Sequence, residues 1–282
     1  MTAPSLSSDP PPFGLIVIGD EILSGKRADK HMSKVIELLA ARGLALAWAE
    51  YLGDERERIT ATLRRAFDSG GVVFSCGGIG ATPDDHTRQC AAVALGVPLA
   101  LHPEAKHLIL ERMRNLAAEQ GQTYDPERPD NVQRLNMGVF PQGAQIIPNP
   151  YNRIPGFTCA SPQGQGAVHF VPGFPVMAHP MIEALLDGPY RRWHRIGDYK
   201  ERSFVIPGAL EGALTPLMER IEREYPDVKV FSLPSVDHPI YGRHVELGVK
   251  GRPDDVDKAF TRLGQALAED GVSVGTELVR NM

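Results

Sequence analysis

Ser75-Cys76-Gly77-Gly78-Ile79-Gly80-Ala81-Thr82-Pro83-Asp84-Asp85-His86-Thr87 follows the apolar run Val72-Val73-Phe74, and residues 88–95 after it read as a helix. A short apolar run that ends in a glycine turn marks a buried strand of an α/β sheet. Gly77, Gly78 and Gly80 remove three Cβ atoms from that turn, so the backbone can reach positive φ and lie close to a ligand. Thr82, Asp84, Asp85 and Thr87 place hydroxyls and carboxylates beside the opening. Strand, glycine loop and helix start together make an anion seat, because the first N–H groups of a helix have no partner within it. The acidic pair complicates this reading, since two carboxylates repel a bare phosphate unless a metal, a proton or another cation lies between them.

Upstream, the apolar residues 13–18 predict a first strand that ends at Gly19-Asp20-Glu21, followed by a loop with Ser24 and Gly25. Asp29 is placed to cap a helix over 31–42, and Gly43 to end it. A second strand is expected over 44–51. After Gly53, Asp54 and Glu57 have the spacing of a capping box for a helix that buries Ile59, Leu63, Ala66 and Phe67. The β-α-β-α-β-α order with short connections predicts a parallel sheet covered on both faces. The loops after the three strands then share the carboxyl edge, where open α/β sheets bind ligands.

Downstream, a helix is expected over 102–120, a short helix within 124–137, a strand over 145–147 and a long loop over 149–156. A hairpin tip over 161–166 leads to a strand over 168–171, which runs into Pro172-Gly173-Phe174-Pro175 and a helix over 176–186. Residues 187–197 read as a linker. Beyond it, strands at 199–206, 228–233, 240–249 and 272–274 alternate with helices at 210–224 and 254–269. The fold class is therefore α/β: a three-layer, parallel-type sheet domain over 13–190, then a small α+β domain over 198–282, with 1–12 as a disordered leader.

The 282 residues are 42% hydrophobic and 23% charged, with a net charge of −5, which does not suggest binding to nucleic acid or an anionic membrane. No apolar run reaches the roughly 18 residues of a membrane span. Cys76, Cys90 and Cys159 are widely spaced and fit reduced thiols of a cytoplasmic protein, with no zinc pattern. Cys76 reads as a small buried hydrophobe. His86, His169, His179 and His244 lack metal-ligand spacing. Nucleophile-elbow, P-loop and His-Glu-x-x-His patterns are absent. Each site residue has a plain alternative. The glycine turn could serve packing alone, Asp54 and Asp85 could be helix caps, and Asp20-Glu21 could be a solvated loop. Their joint placement on three successive strand ends favours a site.

Three segments carry a resemblance: Gly19-Asp20-Glu21-Ile22-Leu23-Ser24-Gly25, Gly53-Asp54, and Gly77-Gly78-Ile79-Gly80 through Asp84-Asp85-His86-Thr87. In this order they resemble the molybdopterin-binding (molybdenum-cofactor biosynthesis) domain, and most closely the amino-terminal part of the competence/damage-inducible protein A family. Asn149-Pro150, Pro155-Gly156 and Pro172-Gly173-Phe174-Pro175 extend the likeness over about residues 13–186. Departures are Asp20 for the usual Thr, Cys76 for Thr and Ala81 for Pro, and Arg153 is unusual before Pro155.

The resemblance implies a pterin or nucleotide phosphate bound at the 76–87 loop, with Gly77, Gly78, Gly80, Thr82, Ser24, Pro172 and Gly173 around it. It implies Asp54, Asp85 and Glu21 as the catalytic carboxylates, and Asp20, Asp84 and Asp85 as ligands of Mg²⁺ or another divalent cation. The activity expected is metal-dependent hydrolysis of a dinucleotide pyrophosphate such as ADP-ribose or FAD. The alternatives are molybdopterin binding or adenylylation in cofactor synthesis, and a non-catalytic binding module. Relatives commonly form dimers or trimers, so a homo-oligomer is part of the same expectation.

Overall fold

The computed structural model describes residues 10–162 and 166–281. Most of the expected leader, and residues 163–165 of the expected hairpin tip, lie outside that range. The chain divides into two compact units, one running through Leu39 with Leu44–Trp193, the other comprising Ala40–Gly43 and the residues from His194 on.

The first unit runs β1 (Phe13–Ile18), α1 (Asp20–Leu23), α2 (His31–Ala40), β2 (Leu46–Leu52), α3 (Arg56–Asp68), β3 (Val72–Cys76), α4 (Thr87–Leu95), β4 (Leu99–Leu101), α5 (Pro103–Glu119), α6 (Pro129–Leu135), β5 (Val139–Pro141), β6 (Gln145–Ile147), β7 (Gly156–Ala160), β8 (Ala167–Val171) and α7 (Pro175–Asp187). Its six-stranded sheet has the order β2-β1-β3-β8-β7-β6. The first four strands are mutually parallel, whereas β7 runs antiparallel to both of its neighbours. The expected parallel sheet is thus present with an antiparallel margin. The separate pair β4–β5 was not legible in the sequence, because three-residue strands carry no periodicity to read.

Alternation along the strands separates two cores. Phe13, Leu15, Val17, Val72, Phe74 and Cys76 face α2 and α7, while Ile16, Ile18, Val73, Val168 and Phe170 face α3, α4 and α5. The second core is centred on a stack of rings, with Phe157 lying 4.5 Å from Phe140 and 4.4 Å from Phe170. Cys76, Cys90 and Cys159 are buried free thiols. Among the described residues no helix is long and apolar enough to cross a membrane.

Of three local expectations, one holds and two are corrected. Asp29 does cap α2, its Oδ1 accepting the His31 N–H at 2.8 Å and its Oδ2 that of Met32 at 3.0 Å. Asp54 caps nothing: α3 starts after Glu55 without a side-chain cap, because the Asp54 carboxylate is engaged elsewhere. The expected linker is in part a core element, since Tyr190 and Trp193 are buried, stack at 5.5 Å and close the core under α7. Their aromatic surface outweighs the neighbouring arginines, and Arg192 lies over the Trp193 ring.

The second unit runs β9 (Lys200–Pro207), α8 (Glu211–Glu224), β10 (Lys229–His238), β11 (Gly242–Gly251), α9 (Pro253–Glu269) and β12 (Glu277–Asn281). Its antiparallel sheet has the order β10-β11-β9-β12, a split β-α-β arrangement. The amphipathic faces of α8 and α9, with Leu217, Ile221, Phe260 and Leu263, cover Val245, Leu247 and Val249 of β11. The closing strand is Glu277–Asn281 and not 272–274. Val272 cannot join the ladder because its N–H is tied to the Leu267 carbonyl at 2.8 Å, ending α9.

Phe157→Ala opens the middle of the ring stack. Denaturant unfolding of the variant is expected to show a loss of about 3–5 kcal/mol, the usual cost of deleting a fully buried aromatic ring.

Candidate functional site

Strand register sets the site. Ile18 pairs with Leu52, Val17 with Cys76, and Cys76 with Val171. Four parallel strands therefore end level, and the loops at Gly19, Gly53, Gly77 and Pro172 leave from one edge. The last rungs are loop amides, with Gly19 N–H donating to Leu52 O and Gly77 N–H to Val171 O, both at 3.0 Å. These loops enclose a cleft of about 400 Å³ lined by Glu21, Asp54, Gly77, Gly78, Gly80, Thr82, Asp84, Asp85, Pro172 and Gly173. All but two of the residues expected at the site thus face one space.

The two exceptions are Ser24 and Asp20, which do not line the cleft. The segment expected as a loop forms the helical turn α1, and Ser24 is its exposed C-cap, with its N–H donating to Asp20 O at 2.8 Å. Asp20 braces two loops. Its Oδ1 accepts the Asp54 N–H at 3.2 Å, while Asp54 Oδ2 accepts the Asp20 N–H at 3.1 Å.

The glycine loop depends on missing Cβ atoms at two positions. Gly77 has φ +108° and Gly78 φ +67°, both in the region that disfavours side chains. A Cβ on Gly77 would collide with the Ile18 carbonyl, and one on Gly78 with the Thr87 hydroxyl. Thr87 is fully buried and ties the loop to α4: its Oγ1 donates to Gly77 O at 3.2 Å and its N–H to Gly78 O at 3.0 Å. Buried Arg88 holds the Ile79 carbonyl at 2.6 Å. Asp85 closes the turn, its Oδ2 accepting both the N–H of Thr82 at 2.8 Å and its hydroxyl at 2.5 Å. The Gly77 amide is taken by the sheet. The amides of Gly78, Ile79 and Gly80 have no protein acceptor among the described residues.

The cleft is acidic. Burial raises the Asp54 pKa above its ordinary value, and the carboxylates of Asp20, Glu21 and Asp84 raise it further against the opposing hydrogen bond from Asp20. Among the described residues no three His, Cys, Asp or Glu side chains are gathered to hold a metal ion by themselves. Asp20, Asp84 and Asp85 therefore form no metal cage, since Asp20 and Asp85 are committed to loop amides. The remaining donors are hard carboxylate oxygens. They fit a dication such as Mg²⁺ that keeps water and takes ligand phosphates for most of its shell.

The opposite wall was not assigned from sequence as site residues. Asn149 is buried; its Nδ2 donates to Asn152 Oδ1 at 2.8 Å and to Ile154 O at 3.0 Å, and its Oδ1 accepts the Tyr151 N–H at 3.0 Å. This bonding holds a loop in which Arg153 takes φ +64° and pairs with Glu111. The Gly173 carbonyl accepts a hydrogen bond from Nε2 of buried His31 at 3.2 Å, and burial lowers the pKa of that imidazole. The Asn149-Pro150 turn was a visible signal of this wall; nothing around His31 was.

A family model described as "Probable molybdopterin binding domain" matches residues 14–191. A CinA-like protein of Anaeromyxobacter sp. (strain K) is 32% identical over 169 residues, covering 60% of this chain and 38% of that protein. Protein TV0584 of Thermoplasma volcanium is 29% identical over 220 residues, 78% of this chain and 79% of that protein. The crystal structure of the protein CinA of Thermoplasma acidophilum, described with unknown function, matches with a TM-score of 0.53 at 25% identity, over 64% of this chain and 98% of that one. The chain spans less than half the length of the CinA-like relatives from Anaeromyxobacter.

Asp54→Asn keeps an acceptor for the Asp20 N–H and removes one of the crowded charges. A raised folded-state pKa means that Asp54 weakens the fold once it is ionised, so its penalty is present at neutral pH, fades as pH falls through the raised value and is gone below the ordinary value of 3.8. Urea titrations are expected to find the variant more stable than wild type at neutral pH, with the gap closing in acid.

Proposed function

The chain belongs to the molybdopterin-binding domain family, and from that premise we propose that its cleft binds a nucleotide or pterin phosphate and hydrolyses a dinucleotide pyrophosphate of the ADP-ribose or FAD type. One observation carries this reading. A strand-end loop with three unpartnered amides opens onto Asp54, a carboxylate held above its usual pKa.

The Gly78, Ile79 and Gly80 amides would hold a phosphate and stabilise the negative charge that builds on it. Their positions are already fixed by Thr87, Arg88 and Asp85, so little reorganisation accompanies binding. Asp54 would take the proton of the attacking water, a task for which a raised pKa suits a carboxylate. Asp85 keeps the turn in shape. Glu21 and Asp84 would hold a divalent cation together with the ligand's phosphates. When bound, that cation supplies charge neutralisation and Lewis acidity. The wall residues Ile79, Met137, Ile154, Phe174 and Met177 give the cleft an apolar side that suits a planar ring. That side also favours the second reading, molybdopterin binding or adenylylation.

Purified protein with ADP-ribose or FAD and Mg²⁺, Mn²⁺ or Co²⁺ is expected to release AMP, resolved by chromatography. Asp54→Asn should lower kcat by about 10²–10⁴-fold, the usual contribution of a general base. No AMP from any of these combinations sinks the hydrolase. Pterin fluorescence that copurifies with the protein, together with no turnover, would establish the second reading in its place.

A further inference from the structure

A second cleft of about 390 Å³ adjoins the first. The two share Ile18, Glu21, Arg27, Gly173 and Phe174 as lining residues. The partition between them is an exposed pair: the Arg27 guanidinium lies over the Phe174 ring, 5.7 Å from its centre. Phe174 is 52% exposed although it is a large aromatic residue at the start of α7. Arg27 is the one basic residue among the described residues that line the first cleft, where the other charged groups are Glu21, Asp54, Asp84 and Asp85. In the second cleft Arg27 is joined by Lys30. Glu21 lines both clefts, so the balance of charged side chains shifts from acidic in the first cleft to basic in the second.

We propose that Arg27 and Phe174 form a clamp that makes the two clefts one binding trough for a two-part ligand, in which a pyrophosphate joins an aromatic base to a second group. This rests on the proposed phosphate seat and deepens it. One phosphate lies against the Gly78–Gly80 amides, and Arg27 pairs with the other. Phe174, released from the guanidinium, stacks on a ring of the ligand. The exchange is easy, because a solvent-exposed cation–π contact is weak and a guanidinium pairs better with a phosphate. The Arg27 backbone stays fixed during the exchange, since its N–H donates to Glu21 O at 2.9 Å. The clamp selects dinucleotides over mononucleotides, because a single phosphate on the amide seat does not reach across the partition.

Calorimetric titration with ADP-ribose and with AMP tests this, with and without Mg²⁺ and with ligand integrity checked by chromatography. Arg27→Gln is expected to weaken ADP-ribose binding about ten-fold or more, as for a lost charge-assisted hydrogen bond, and to leave AMP nearly unchanged. Arg27→Lys should recover part of the loss. Phe174→Ala should cost about ten-fold on ADP-ribose through lost stacking and leave inorganic pyrophosphate binding unaltered. Both side chains are exposed, and thermal melts are expected to match wild type. Unchanged ADP-ribose affinity in Arg27→Gln, with AMP still bound by wild type, overturns the clamp and leaves the phosphate seat standing. Failure of wild type to bind either nucleotide overturns both.

Discussion

A close backbone approach in the first unit governs its chemistry. Gly77 passes against the Ile18 carbonyl while its own N–H completes the β3–β8 ladder at Val171. In-register parallel strands end level, and the chain must leave the sheet there in a tight turn. At positive φ with no room for a Cβ, that turn leaves the next three amides without a protein acceptor among the described residues. The proposed phosphate seat is thus a by-product of ending a buried strand beside another buried strand. Thr87, Arg88 and Asp85 then hold the loop from three sides.

The same edge gathers charge. Asp20 and Asp54 brace each other's loops through reciprocal backbone hydrogen bonds, which places two carboxylates in proximity and brings Glu21 and Asp84 within electrostatic reach of Asp54. The hydrogen bonds lower the energy of each carboxylate, while mutual repulsion and partial burial raise it, and for Asp54 the second effect is the larger. Stored repulsion of this kind is relieved by a proton or a cation. The basic residues nearest this edge, Arg27 and Lys30, line the adjoining cleft, and Arg27 lines both.

Local signals were sound where a single physical preference dominated. The Asp29 cap is where the chain chemistry puts it. They erred where a long-range partner competed. Asp54 has capping-box spacing with Glu57, yet Asp20, distant in sequence, offers it an amide, and α3 begins uncapped. Residues 187–197 read as a linker, yet burial of Tyr190 and Trp193 decided the path of the chain. Val272-Ser273-Val274 has strand composition, yet the end of α9 claims the Val272 amide.

The sequence by itself determined the order of elements, the glycine turn with its acidic companions, and the family, because these rest on periodicity and on residue types that few backbone conformations accept. Only the tertiary structure decided that Asp20 and Ser24 stay out of the cleft, that Asn149 lines it while His31 holds the Gly173 carbonyl, and that Arg27 meets Phe174. Those facts depend on strand register and on which distant amide or ring a side chain finds, and no local pattern encodes either.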